Sequence, residues 1–445
     1  MQQSDLTILW LKPSEKQRKN PTRYSSAKIQ QLEFALLRLC LGAVKINHII
    51  RSSPSPVGSD VHKESLVLDN RIRLELSRVL NIQLSDLEWM QTTLPIRLGG
   101  LGFRKICSVS AAGYVGARVQ VHNLLDVLLA NAKDRDFIVP GAYETFTRLS
   151  ERCGRVDFDV AKCSQKDLCA LVHREEARVW KLAAMENACS FGYSVKCREE
   201  RRVGLVTRPH AGSWLHAYPS NAFSLGMQSD VFVSAVKYWL GHKLFSTGTP
   251  SGCLCCQSVD CFGDFSQSCR FFGLRIKRHN LVRDALASLG RKAKLSPRME
   301  VLVDGRKAAD VLFCGFDPNT NRDLAIDVTV RNPFRMGGDI LVAEAAEIAK
   351  VNQSAEHCTM AGVAFRAFGL DTWGGWGPSA FSLVSYLALR TSANENLARS
   401  WLVSNFSKFI SVALMTGVGE CLLHHIRCAE SCGRGRGLGL SSGVG

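Results

Sequence analysis

The sequence predicts an α+β protein of several regions. Three features predict it: long stretches with apolar residues at helical spacing, a block of strand-like runs between residues 300 and 330, and a dense group of cysteines just ahead of that block. Apolar residues recurring three and four positions apart mark a helix that buries one face. That pattern runs through 31–51 (QLEFALLRLCLGAVKINHIIR), 61–91, most of 107–200, and 226–240. SPSPVGS at 53–59 breaks the first helix from the second, and LPIRLGGLGFR at 94–104 reads as a Gly-rich loop. The basic run RIKRHNLVRDALASLGRKAK at 275–294 predicts another helix. Beyond it the period changes to strand-like runs, EVLV at 300–303, AADVLF at 308–313 and LAIDVTV at 324–330, with Asp304-Gly305 as a hairpin turn between the first two. A helix over 340–357, a strand over 363–370, the loop TWGGWGP and two or three helices to about Cys428 complete the prediction. The tail SCGRGRGLGLSSGVG has the low complexity of a disordered segment.

The chain has 445 residues, and its 46% of hydrophobic residues is enough for buried cores and excludes a wholly disordered chain. Lys and Arg outnumber Asp and Glu by 56 to 40, a formal charge of +16 that favours polyanionic partners. The 17 cysteines, an odd number spread from Cys40 to Cys432, do not form the framework of a secreted disulfide protein. The apolar patch at Leu6–Leu11 is short and lacks a basic region before it, and no run of about 18 consecutive apolar residues occurs anywhere. These features predict no signal peptide and no membrane span, and an intracellular protein.

Asp310 and Asp327 stand inside two apolar strand-like runs. Such strands normally exclude carboxylates, because an unpaired buried charge is costly. Two aspartates on neighbouring strands offset that cost by sharing a divalent cation such as Mg²⁺, which prefers oxygen ligands and leaves positions for water and phosphate. A cation held so activates water and stabilises charge on a scissile phosphate. Glu300 offers a third oxygen, and Lys350, on the following helix, offers a positive charge to the phosphate or its attacking water. The alternative reading places both aspartates at strand ends, solvated or capped. Arg275, Lys277, Arg278, His279 and Arg283 share the basic helix and predict phosphate contacts insensitive to base sequence; a solvated helix face is the alternative. Cys253-x-x-Cys256, within a group of five cysteines from 253 to 269, has the spacing of a zinc knuckle.

Taken in order, GSWLHAYPS at 212–220, the cysteine group, RHNLVRDAL, DGRKAADVLF, AIDVTV and FGLDTWGGWGPSA resemble the C-terminal part of non-LTR retrotransposon proteins that carry a restriction-like endonuclease. Upstream, LCLGAVKINHIIRSSP at 39–54 and LEWMQTTLPIRLGGLGFR at 87–104 resemble the thumb that follows a reverse transcriptase palm, so the resemblance covers about 30–425. It implies a basic lead-in (1–30), a thumb-like helical region (31–110), a helical connection (111–205), a Trp/Pro loop, helix and Cys-rich zinc-knuckle-like region (206–272), a nuclease domain of the PD-(D/E)xK type with a mixed sheet and flanking helices (273–380), C-terminal helices (381–428) and a disordered tail (429–445).

The function implied is Mg²⁺- or Mn²⁺-dependent nicking of target DNA to prime reverse transcription, with DNA and element RNA as partners and residence in nucleus and cytoplasm. Asp310 and Asp327 match the two metal-binding acids and Glu300 an acidic position upstream, while Lys350 would substitute for the lysine of the site. Three positions depart from the family pattern. Ala308-Ala309 replaces a proline before Asp310, which removes a fixed φ but no ligand. Gln353 stands at the usual lysine position, with Lys350 one turn earlier on the same helix face. Phe265 stands where the third zinc ligand, a histidine, is expected, so a Zn²⁺ site would use Cys253, Cys256, Cys261 and Cys269, or His279 reaching back. No Asp-Asp dipeptide occurs, so the chain alone is not expected to polymerise DNA. The alternatives are a catalytically inactive nucleic-acid-binding remnant and a protein with no retained activity.

Overall fold

The computed structural model describes residues 29–43, 45–54, 59–128, 151, 164–220, 224–245, 260–303, 305–317, 322–335 and 341–436. Eight helices come first: α1 (Ile29–Cys40), α2 (Asn47–Ser52), α3 (Asp60–Leu80), α4 (Asp86–Thr93), α5 (Ile106–Leu128), α6 (Gln165–Cys189), α7 (Tyr193–Val206) and α8 (Ser229–Leu240). Next are α9 (Leu274–Lys292), β1 (Ser296–Val303), β2 (Arg306–Asp317), β3 (Arg322–Arg331), α10 (Val342–Met360), β4 (Ala364–Asp371), α11 (Pro378–Glu395) and α12 (Arg399–Arg436). The α+β class predicted from the sequence is the class observed.

Two helices expected to be continuous are each interrupted, for local reasons. The 61–91 stretch divides where Asn81 takes the left-handed conformation (φ 49°) and Ser85 opens a new helix, accepting from the Glu88 N–H while the Glu88 carboxylate returns to the Ser85 N–H. The 31–51 stretch stops at Cys40 and resumes at Asn47. At the other end, α12 continues to Arg436, so the tail expected to be disordered from 429 is helical for its first residues; 437–445 lie outside the described residues.

The sheet has the order β1-β2-β3-β4. β1–β2 and β2–β3 are antiparallel hairpin pairs, and β3–β4 is parallel. A parallel pair needs a crossover, which α10 supplies while packing on β3 and β4. Val311, Phe313, Leu324, Ile326 and Val328 join the main core, whereas Leu312 and Ala325 join a small second cluster with Cys358 of α10. Strand side chains alternate between faces, so Asp310 and Asp327 belong to the α10 side of the sheet. α9 packs on β1, β2 and β3 and against α12. There Gly290 admits Phe313: a Cβ at 290 would lie 2.3 Å from the Phe313 ring. Gly290→Val is therefore expected to destabilise the protein by about 1–3 kcal/mol through overpacking. A lower urea midpoint at unchanged slope would show it, and an unchanged midpoint would mean that the ring moves aside.

The regions expected to be separate domains share one core. A single buried cluster contains Phe34 of α1, Trp180 of α6, Trp239 of α8, Phe313 of β2 and Leu422 of α12. α12 closes it, packing on α8, α9, α11 and the 3₁₀ turn Ser213–His216. Close approach is possible because Gly419 lies where a Cβ would meet the Val231 carbonyl at 2.5 Å. The stretch Arg399–Ser431 is long and apolar enough to cross a membrane by length and composition, which the count of consecutive apolar residues did not anticipate, but 67% of its apolar 18-residue window is buried inside the fold. Its apolarity serves the core.

Candidate active site

Asp310 and Asp327 come together because β2 and β3 are antiparallel neighbours. Their pairing runs to Val311↔Ile326, and the next positions along are Asp310 and Asp327. The Asp310 Oδ2 accepts from the Val328 N–H at 2.8 Å and lies 3.4 Å from His279 Nε2. Lys350, one face of α10, places Nζ 2.8 Å from Asp327 Oδ2. Gln353, one turn on, is exposed. Glu300 pairs with Arg283, whose guanidinium also holds Asp284 at 2.8 Å. Glu300 sits at φ 51°, a left-handed conformation uncommon for a non-glycine residue. Glu300, Asp310, Asp327 and Lys350, expected together from the sequence, line one open cavity of about 880 Å³.

The two carboxylates differ electrostatically. Burial pushes Asp310 up, but His279, the Val328 N–H and a hydrogen bond shared with Asp327 outweigh it, and its pKa falls below the ordinary value. Asp327 is raised: burial dominates, the charge of Asp310 and the shared hydrogen bond add to it, and Lys350 offsets only part. Of these two coupled acids, Asp310 therefore ionises at lower pH than Asp327. A divalent cation would relieve that repulsion, and the donor set is the all-oxygen set that Mg²⁺ or Mn²⁺ prefers. Three carboxylates line the cavity, one of them, Glu300, paired with Arg283; among the described residues no group of three or more His, Cys, Asp or Glu is arranged to hold a metal. Any such ion would complete its shell with water and phosphate.

The cavity is also basic. Arg270, Arg275 and Arg331 line it, and Arg275 is held below the ordinary arginine value by burial and by the like charges of Arg335, Arg270 and Arg331. Arg275, Arg278, His279 and Arg283 of the expected nucleic-acid set line this cavity. Arg278 and Lys277 are engaged with other groups of the protein. Arg278 is 2% exposed and is spent on Gln267, donating to its Oε1 at 2.6 Å and to its carbonyl, because α12 covers that face of α9. Lys277 turns to Glu420 of α12 at 2.9 Å. Arg270 and Arg331 were missed: one precedes the basic helix and the other ends a strand, and no periodicity marks either. His279, expected to meet phosphate or zinc, instead meets Asp310.

Cys253 and Cys256 lie outside the described residues, and the zinc reading rests there. Of the remaining candidates, Cys261 is half-buried with its thiol raised chiefly by burial, and Cys269 is buried close enough to Cys421 to influence its ionisation. His279 does not reach back to them. Phe265, in place of the family's histidine, stands edge-on to His425 at 6.1 Å. The 260–269 segment is held by hydrogen bonds: the Asp260 carboxylate accepts from the N–H groups of Phe262, Asp264 and Phe265 at 2.6–3.0 Å. Asn332 ties it to the end of β3.

The chain matches no protein-family model and no curated protein.

Proposed function

We propose that this chain is a metal-dependent phosphodiesterase acting on nucleic acid. More particularly, it is a restriction-like DNA endonuclease of a non-LTR retrotransposon, nicking the strand that primes reverse transcription. One observation carries the reading: Asp310 and Asp327 stand side by side in a basic cavity with Lys350 on Asp327. A divalent cation bound by these carboxylates would supply a Lewis acid and an activated water. His279 and the Val328 N–H fix the Asp310 carboxylate, and Lys350 sets Asp327 and offers positive charge to the phosphate as the bond to the leaving oxygen breaks. Arg275 and Arg331 hold the phosphodiester against the wall by charge, without reading bases.

The test is nicking of supercoiled plasmid by the purified chain in Mg²⁺ or Mn²⁺, with EDTA as control. Lys350→Ala is expected to slow it by about 10²–10³-fold, the usual cost of one charge-stabilising group. Equal rates in both proteins would assign the nicking to a contaminant and sink the reading. A second reading, a nucleic-acid-binding remnant without catalysis, is favoured by the pairing of Glu300 with Arg283, which engages one of the three carboxylates lining the cavity. It predicts salt-sensitive binding of DNA and no metal-dependent nicking.

A further inference from the structure

A second basic cavity, of about 620 Å³, lies in the helical region far along the chain from the acids, where α2, α5 and α6 meet the loop after α4. Arg51, Arg97, Arg104 and Lys166 line it, and none of its lining residues is Asp or Glu. Arg51 is set in place by Gln165 at 2.5 Å and Gln120 at 2.7 Å. Arg97 and Arg104 are exposed and make no ion pair with a carboxylate among the described residues. Asp167, beside the cavity, holds the lining residue Ser164 and is felt by Lys166, and Glu176 acts on Cys169.

The wall also holds a buried polar group without a partner. His173 of α6 lines the cavity, is 4% exposed, and its Nε2 is buried with no hydrogen bond among the described residues. A buried ring nitrogen left unpaired costs free energy that a ligand atom would return. Burial first, then the charges of Arg104 and Arg97, push its pKa down to about 4. The ring is therefore neutral at physiological pH, with one nitrogen available to donate. The amino end of α6 adds nothing essential, since Ser164 and Asp167 already cap it reciprocally.

We propose that this cavity is a phosphate-binding site, separate from the carboxylate cavity, which takes phosphate groups of a nucleic-acid backbone between Arg97 and Arg104 with His173 at its floor. Arg97 and Arg104, without an ion pair among the described residues, beside an uncharged buried ring nitrogen suit a phosphate oxyanion; an apolar or cationic ligand would leave both unanswered. A free phosphate-bearing molecule shares that chemistry, and the test separates the two sources.

The full chain is compared with two double variants, Arg97→Gln/Arg104→Gln and Arg97→Lys/Arg104→Lys, all in EDTA so that cleavage plays no part. Binding of a labelled single-stranded oligonucleotide is titrated across a salt series, and binding of inorganic pyrophosphate is measured by calorimetry. With both arginines exposed, neither change threatens the core. The glutamine pair is expected to weaken oligonucleotide binding and to flatten its salt dependence by about 1.4, at roughly 0.7 per phosphate contact to a single strand, and the lysine pair to restore most of that slope. Loss of pyrophosphate binding alone, with the oligonucleotide slope intact, would support the site and name a free phosphate ligand. An unchanged slope together with unchanged pyrophosphate binding would overturn it. Because these measurements need no metal and no nicking, they stand or fall apart from the nuclease reading.

Discussion

Asp310→Asn is expected to abolish metal-dependent nicking, by at least about a thousandfold, while leaving the fold almost untouched. The amide keeps the shape and one acceptor oxygen, so the Val328 N–H retains its bond. What it loses is the charge, and with it one of the three carboxylates that line the cavity. Urea unfolding at the wild-type midpoint, beside a nicking rate at background, would separate chemistry from stability. A variant that nicks normally would remove Asp310 from the mechanism. The pH profile supplies an independent check. The raised acid of the pair is Asp327, so its deprotonation sets the acidic limb of activity. Lys350 lowers the Asp327 pKa, and its loss in Lys350→Ala raises it further, so the limb moves to higher pH. A limb that stays in place, or moves to lower pH, would contradict the assignment.

Asp371→Ala is expected to cost about 3–5 kcal/mol of folding free energy, the usual result of breaking a buried ion pair by removing one partner. Asp371 is fully buried at the end of β4. Its carboxylate accepts from the Trp373 N–H at 2.7 Å and the Gly375 N–H at 2.9 Å, and from Arg208 at 3.0 Å. Removal leaves two amides without that acceptor and takes one carboxylate from the guanidinium, which keeps Glu344. The measurement is a urea midpoint at constant slope. A loss below about 1 kcal/mol would show that Glu344 alone neutralises Arg208, as an exposed pair would be worth no more than that. This pairing also gives a physical reason for the loop that follows β4. A Cβ at Gly375 would fall 2.1 Å from the Asp371 carboxylate, and Gly374 holds φ at 88°.

The secondary structure between α9 and β4 was legible because its signals are local: helical spacing in a basic run, β-branched strands, an Asp-Gly turn. Adjacency of Asp310 and Asp327 followed from the hairpin order once both strands were read. The Lys350 pairing followed from its helical face, even though Gln353 occupies the position expected from the family pattern. What was illegible depends on contacts distant in sequence. A run of arginines does not say which face a later helix will cover, so Arg278 read as a phosphate contact although α12 buries it. Asp371 fell between the expected strand 363–370 and the TWGGWGP loop and drew no reading, because its partner, Arg208, is on the far side of the cysteine group. His173 belongs to 107–200, where helical periodicity was plain and chemistry was not; its meaning depends on Arg97 and Arg104 arriving from another element.

The last helix also sets a schedule for synthesis. Phe232, Val236 and Trp239 of α8 are buried in the finished core, and α12 is one of the elements that cover that helix. On a ribosome adding roughly 5–20 residues per second, α8 emerges roughly 10–40 s before α12 is complete. For that interval an apolar face waits in water among other nascent chains. Slower elongation through the final stretch lengthens the exposure, so yield in a cell falls with translation speed even when the stability of the completed protein is unchanged.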